Sequence, residues 1–188
     1  MMKSRTGKFT DPRDGKVYKT VKIGKQVWFA ENLNFDCKGS KCYNDDPKNA
    51  EKYGRLYNWE TACCEACPDG WHLPNMAEWE TLVDFAGGED IAGQKLKAKS
   101  GWDHKGNGTD EFGFSALPGG YGYYSGGFVT AGDYGHWWTS KEGEINTDNA
   151  YYRIMCCSND FASWNNFDSC YLLSVRYVQG DEVPDEDW

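Results

Sequence analysis

Cysteine is the residue type in this chain best placed to do chemistry. Eight cysteines occur in 188 residues: Cys37 and Cys42 bracket a short loop, Cys63, Cys64 and Cys67 cluster, and Cys156, Cys157 and Cys170 come late. Reducing compartments seldom hold so many, so disulfides are the leading reading, free buried thiols the next, and a metal site the last. A zinc site needs well-spaced ligand pairs, and His72, His104 and His136 form no CxxH or HxxxH spacing. The adjacent pairs Cys63–Cys64 and Cys156–Cys157 are poor candidates for bridging each other, because that geometry is strained. A nucleophilic cysteine needs a nearby cation or helix N-terminus to hold its thiolate. Close in sequence to the late cysteines stand only Arg153 and Arg176.

Oxygen ligands come next. The stretch DHKGNGTD sets Asp103, Asn107 and Asp110 among glycines, a spacing compatible with a structural calcium ion, although a polar turn is the favoured reading. No other cofactor is expected. The chain contains no GxSxG, HExxH, P-loop or dinucleotide-binding glycine pattern, and no carboxylate pair is singled out for glycoside hydrolysis.

Charge narrows the partners. A formal net charge of -9 argues against nucleic acid and against anionic membrane surfaces, since both would be repelled. Much of it sits in the ending GDEVPDEDW, which reads as a solvated, disordered tail. No run approaches the length of a membrane span, and the first residues carry positive charge without an apolar signal-peptide region. Export would then follow removal of a leader, or another route such as display on a phage particle.

The elements that must position these residues follow from patterning. From Lys16 to Asn32 apolar residues alternate around Gly24-Lys25, the signature of a β-hairpin. Asn34 to Lys48 reads as loop. Asn58 is suited to cap a helix through Trp59, Ala62, Cys63 and Ala66, ended by Pro68 and Gly70. A second helix is better signalled: Asn75 and Glu78 form a capping-box pattern, Met76, Trp79, Leu82, Val83 and Ala86 recur at helical spacing, and Gly87-Gly88 stops it. Gly101 to Gly135 reads as long loops rich in Gly, Asn and Tyr. Strands are expected over Gly135–Ser140, Tyr151–Met155 and Leu172–Val178, with at least one of Trp137 and Trp138 in the core. The order predicts one α+β domain whose antiparallel sheet is completed by both ends of the chain.

Across these elements run DPRDGKVYKTVKIGKQVWFAENL, KYGRLYNWETA, CPDGWHLPNMAEWETLV, LKAKSGW, NGTDEFGFSALPGGY, HWWTSKE, NAYYR and SVRYV. Together they resemble the Fibrobacter succinogenes major paralogous domain, over about residues 9–178, with residues 1–8 as an N-terminal extension and 179–188 as the acidic tail. The resemblance implies a C-type-lectin-like fold, with two helices, a small twisted antiparallel sheet and long loops. It also implies an extracellular or surface-displayed protein. Related domains serve as variable proteins of diversity-generating retroelements, in which a C-terminal binding face is mutagenised at adenines, usually through Asn codons. The GWHLPNMAEWE block is similar to a helix of formylglycine-generating enzymes, which use two cysteines and copper. Their GNVWEW-type signature is missing, as are the EPN, QPD and WND motifs of calcium-dependent sugar binders. Many family members carry Cys at the position of Tyr177, and the resemblance implies that it pairs with Cys67; Tyr177 removes that bridge.

The segment between NAYYR and SVRYV departs from the family's Asn- and Tyr-rich run. Its residues are of types reachable from an Asn codon by changing adenines, while the flanks stay family-like. The expected ligand-binding residues are Tyr152, Ile154, Cys156, Ser158, Asp160, Phe161, Ser163, Trp164, Asn166, Phe167, Asp168 and Tyr171. Rigid aromatics interleaved with Ser, Asn and Asp supply contact area and adaptable hydrogen bonds; packing of these aromatics into the core is the competing reading. The expectation is a non-enzymatic recognition module, its partner a protein or glycan on a cell surface, with no membrane insertion. The alternatives are a thiol or copper enzyme and a passive module of a surface assembly.

Overall fold

A computed structural model describes residues 5–143 and 148–181. The N-terminal hairpin forms as its alternation predicts, from β2 (Val17–Ile23) and β3 (Gln26–Phe29), and β1 (Arg5–Thr10) adds to its outer edge. Arg5–Lys8, read from sequence as an extension, is therefore paired strand. Then come β4 (Ser40–Lys41), α1 (Pro47–Tyr53), β5 (Leu56–Tyr57), α2 (Trp59–Cys63), β6 (Trp71–His72), α3 (Met76–Phe85) and α4 (Glu89–Leu96). The chain continues through β7 (Tyr121–Gly122), β8 (Phe128–Val129), β9 (Tyr134–Glu142), β10 (Asn149–Cys156), β11 (Ser163–Asp168) and β12 (Val178–Gln179).

The fold is α+β. One antiparallel sheet has the order β1-β2-β3-β12-β6, so the C-terminal strand closes onto the N-terminal hairpin, as the element order predicts. Val178 is its pivot, paired with Trp28 on one side and His72 on the other. A second sheet has the order β11-β10-β9.

Among the described residues four α-helices replace the two expected. The α3 start follows the sequence signal: Asn75 Oδ1 accepts from the Glu78 amide at 2.8 Å, and Glu78 Oε2 accepts from the Asn75 amide at 3.0 Å. Both α2 and α1 are capped through side chains, Asn58 accepting from the Thr61 amide and Asp46 from that of Lys48. α1 begins inside the stretch read as loop, because Pro47 suits a first helical position. α4 begins on Gly88, read from sequence as a stop, and carries Gly93 inside it. Leu172–Val178, expected as a strand, runs through isolated bridges from Leu172 to Gly122, Leu173 to Tyr57 and Ser174 to Trp137, and only its end is strand.

Strand alternation divides the tryptophans of β9 between two cores. Trp137 joins Trp28, Trp79 and Phe114 beneath α3, whereas Trp138 joins Phe29, Tyr57, Trp71, Tyr152 and Tyr177. Both are fully buried. Asn32 ties the sheets together: its Oδ1 accepts from Trp137 Nε1 and Arg176 Nε, both at 2.9 Å, and its Nδ2 donates to the Tyr53 carbonyl at 2.8 Å. Among the described residues the fully buried Arg176 makes no direct ion pair, although Asp110 and Glu31 lie near enough to favour its charge. It donates to the carbonyls of Phe29, Phe114 and Ser115, and desolvation lowers its pKa to about 9.

The disulfide expectation is corrected at Cys37, Cys42, Cys64, Cys156, Cys157 and Cys170, which are free thiols. Of the ending read as a tail from residue 179, Gln179 lies in β12 and the Gly180 amide donates to the Gly70 carbonyl, so these two residues belong to the fold; residues 182–188, like 1–4, lie outside the described residues.

Candidate functional site

Register decides which of the expected site residues can meet one ligand. In the second sheet Tyr152 stands opposite Asn165 and Trp138, Ile154 opposite Ser163 and His136, and Ala150 opposite Phe167. Directly opposed side chains share a face, so Tyr152, Ile154, Ser163, Asn165, Phe167 and His136 point to the same side. Trp164, Asn166 and Asp168 point to the other, opposite Arg153, Tyr151 and Asn149. The expected site is thus split by the pleat. One half gathers on a face, and the other half lies around the edge of β11.

Over the first face lies an aromatic cluster. Phe167 stacks on Tyr152 with ring centroids 4.5 Å apart and meets Tyr121 at 5.0 Å and Tyr171 at 5.2 Å. Tyr121 stacks parallel to Tyr171 and contacts Tyr123, whose hydroxyl lies 3.2 Å from its own. Desolvation and this neighbouring hydroxyl push Tyr121 up to about 12. His136 forms the floor against Tyr121, Tyr134, Tyr152 and Phe167. Its burial lowers its pKa to about 4, only partly offset by a hydrogen bond to the Gly120 backbone, so the ring is neutral. Tyr121, Tyr123, Tyr134 and His136 come from the long loops and β9, and sequence reasoning missed them as site residues. The run GGYGYY was the visible signal for Tyr121 and Tyr123.

Two expected contact residues are corrected. Tyr152 is only 2% exposed, packed under Phe167, with its phenol raised by burial. Cys156 is buried too, its thiol 3.3 Å from the Ser158 hydroxyl. Both support the face from beneath. Ile154, Ser163, Phe167 and Tyr171 are half-buried, whereas Ser158, Asp160, Phe161, Trp164, Asn166 and Asp168 are exposed.

The connection between β10 and β11 is held in a particular way. The buried Lys97 ammonium donates to the Cys156 carbonyl at 3.0 Å and the Asn159 carbonyl at 2.8 Å. The Cys157 amide donates to the Asp133 carbonyl at 2.8 Å, and the Gln94 amide donates to Asp160 at 3.3 Å. The Ala162 amide donates to the Glu89 carbonyl at 3.0 Å, and Arg153 Nη1 donates to the Ala162 carbonyl at 3.1 Å. Arg153 also pairs with Glu80 on α3. Glycines permit the close approach: a Cβ on Gly106 would lie 2.4 Å from the Cys157 Cα, and one on Gly93 would lie 2.3 Å from the Phe161 carbonyl oxygen. Every one of these tethers grips backbone. The side chains of Ser158, Asn159, Asp160 and Phe161 point to solvent.

A sheet closed by both termini, a capped GWHLPNMAEWE helix and this late hairpin place the chain among known domains. Residues 21–179 match the Fibrobacter succinogenes major domain. The chain belongs to that family. No curated protein and no solved structure matches it.

Within this Fibrobacter domain the position of Tyr177 is filled rather than bridged. Tyr177 is fully buried, its hydroxyl donates to the Ala62 carbonyl at 2.8 Å, and burial raises its phenol well above the ordinary value. Burial raises the thiols of Cys37, Cys157 and Cys170, the last to about 11, with the Asp168 carboxylate adding to the shift. In the candidate calcium loop, Asn107 Oδ1 accepts from the Trp102 amide and both Asp110 oxygens accept from Ser115. Those hydrogen bonds shape the turn. Among the described residues no group of three His, Cys, Asp or Glu side chains is arranged to hold a metal.

Proposed function

We propose that the chain is a non-enzymatic recognition module of C-type-lectin-like type, displayed outside the cell or on a particle, whose late hairpin carries a binding face. The observation behind this reading is the backbone tethering of Cys156–Ala162 by Lys97, Asp133, Glu89, Gln94 and Arg153. A loop fixed through its main chain keeps its shape when its side chains change. That is what a diversified surface requires, and it supports assignment as a variable protein of a diversity-generating retroelement. Exposed Phe161 and Trp164, 45% and 48% accessible, supply rigid contact area among polar neighbours. Thiols raised by burial favour binding over thiol chemistry, because the neutral form is a poor nucleophile. The ligand is a cell-surface protein or glycan.

The neighbouring DNA tests diversification. A near-duplicate of the region encoding Tyr151–Val178, beside a reverse transcriptase and differing mainly at adenines, is the expected finding. Its absence removes the retroelement part and leaves a fixed recognition face.

A further inference from the structure

We propose that the outer edge of β1 takes an acidic, extended segment of a partner protein as a further strand, at a site that shares no residue with the late hairpin. β1 ends the order β1-β2-β3-β12-β6, and among the described residues it pairs with β2 alone. Its register runs unbroken from Arg5 opposite Lys22 to Thr10 opposite Val17, and the strand contains no proline. The free edge therefore presents a regular row of main-chain donors and acceptors. Strand addition draws its affinity from such a row.

Charge selects the occupant. The whole chain carries a net -9, yet this end of it is cationic. The carboxylates of Asp11 and Asp14 are taken by Arg13 at 2.7 Å and Lys16 at 3.2 Å, and Lys19 lies 3.6 Å from Glu31. Arg5, Lys8, Lys22 and Lys25 are exposed and form no ion pair among the described residues. Register sets Arg5 directly opposite Lys22 and Lys8 directly opposite Lys19, like charges whose repulsion an anion on the outer side of β1 relieves. A second copy laid edge to edge would add cations instead. Arg5 and Lys8 stand three apart and on opposite faces, so the fitting strand carries acidic residues three apart.

One face of that edge opens on a groove. Thr6 and Lys8 share a face with Val17 and Lys19, and all four line a space of about 810 Å³ that Lys16 and Lys52 also border. Its carboxylates are Glu31 and Glu51. Glu31 is engaged by Lys19 through both ammonium and amide, and exposed Glu51 stands beside Lys52. Lysines therefore outnumber acids in the groove, and exposed Val17 adds apolar surface. Side chains that an added strand turns toward the Lys8 face find room and positive charge there.

The test titrates the full chain with the peptide Thr-Glu-Val-Thr-Glu-Val-Thr, its Lys-for-Glu counterpart, two forms of the acidic peptide N-methylated along one edge or the other, and heparin, following backbone amides by NMR. The acidic peptide should bind, slow amide exchange over residues 5–10, and weaken as salt is raised. One N-methylated form should lose binding while the other keeps it, because only one edge of the peptide pairs with β1. Arg5→Gln with Lys8→Gln should weaken the acidic peptide about tenfold, two cross-strand charge pairs being lost, while the melting temperature holds or rises. Failure of the acidic peptide to bind, equal binding of the Lys peptide, or indifference to N-methylation on both edges overturns the proposal. Heparin binding that displaces the peptide without protecting the β1 amides overturns it too, since the site is then a polyanion patch and not a strand edge.

Discussion

Lys97 and Asn159 are joined by a 2.8 Å hydrogen bond from a buried ammonium to a main-chain carbonyl, and the same ammonium reaches the Cys156 carbonyl at 3.0 Å. One side chain thus clasps both shoulders of the β10–β11 turn. Lys97→Met keeps the stem and removes the donors. It should cost about 1–3 kcal/mol, the penalty for buried carbonyls left without partners. Amide hydrogen exchange should rise over residues 156–162 while α3 stays protected.

Gly93 and Gly106 bring two separate elements against that turn. Gly106→Ala puts a methyl 2.4 Å from the Cys157 Cα, and Gly93→Ala puts one 2.3 Å from the Phe161 carbonyl oxygen. Neither glycine needs a left-handed backbone, so the damage is steric. Each substitution should destabilise by about 1–3 kcal/mol, as overpacking does, although alanine normally stabilises a helix interior such as that at Gly93. Thermal unfolding of the two variants checks this.

Trp164 and Tyr152 lie on neighbouring strands but should respond differently to truncation. Trp164→Ala removes an exposed ring from the strand edge and should shift stability by about 0.5 kcal/mol or less. Tyr152→Ala empties a site between Phe167, His136 and Trp138, and should cost about 3–5 kcal/mol. Phe167→Ala should fall between them. Denaturant midpoints at constant slope give the comparison.

His136 makes the aromatic floor acid-sensitive. Its folded pKa of about 4 lies below the ordinary 6.5, so between those values the unfolded chain binds the proton more readily. The contribution is intact above pH 6.5 and is lost as pH falls toward 4, with a slope of at most about 1.4 kcal/mol per pH unit. Urea titrations should show this acid loss, and His136→Gln should flatten it relative to the parent.

Features written locally were legible in the sequence. Asn75 and Glu78 announced α3, and the alternation around Gly24 announced the hairpin. α4 was hidden because it starts on Gly88 and contains Gly93, a residue chosen for contact with Phe161 rather than for helix propensity. β11 was hidden because SWNNFD lies at a sheet edge, where apolar alternation is not needed. The segment bearing the candidate face was recognisable from its composition. The face itself was not, since Tyr121, Tyr123 and His136 reach it only through tertiary packing, and since the pleat sends Trp164 and Phe167 to opposite sides. The cysteine count suggested bridges because a count carries no distances.

The central claim is that the β10–β11 surface is a main-chain-fixed platform for variable recognition. Its most direct test is a display library randomised at Ser158, Asp160, Phe161, Ser163, Trp164 and Asn165, scored for folding and then selected against a fixed protein target. Most members should fold with melting temperatures close to that of the parent, and selection should yield binders whose contacts map to the β10–β11 turn and the strand that follows it. A library that mostly unfolds, or folds and yields no binders, would contradict it.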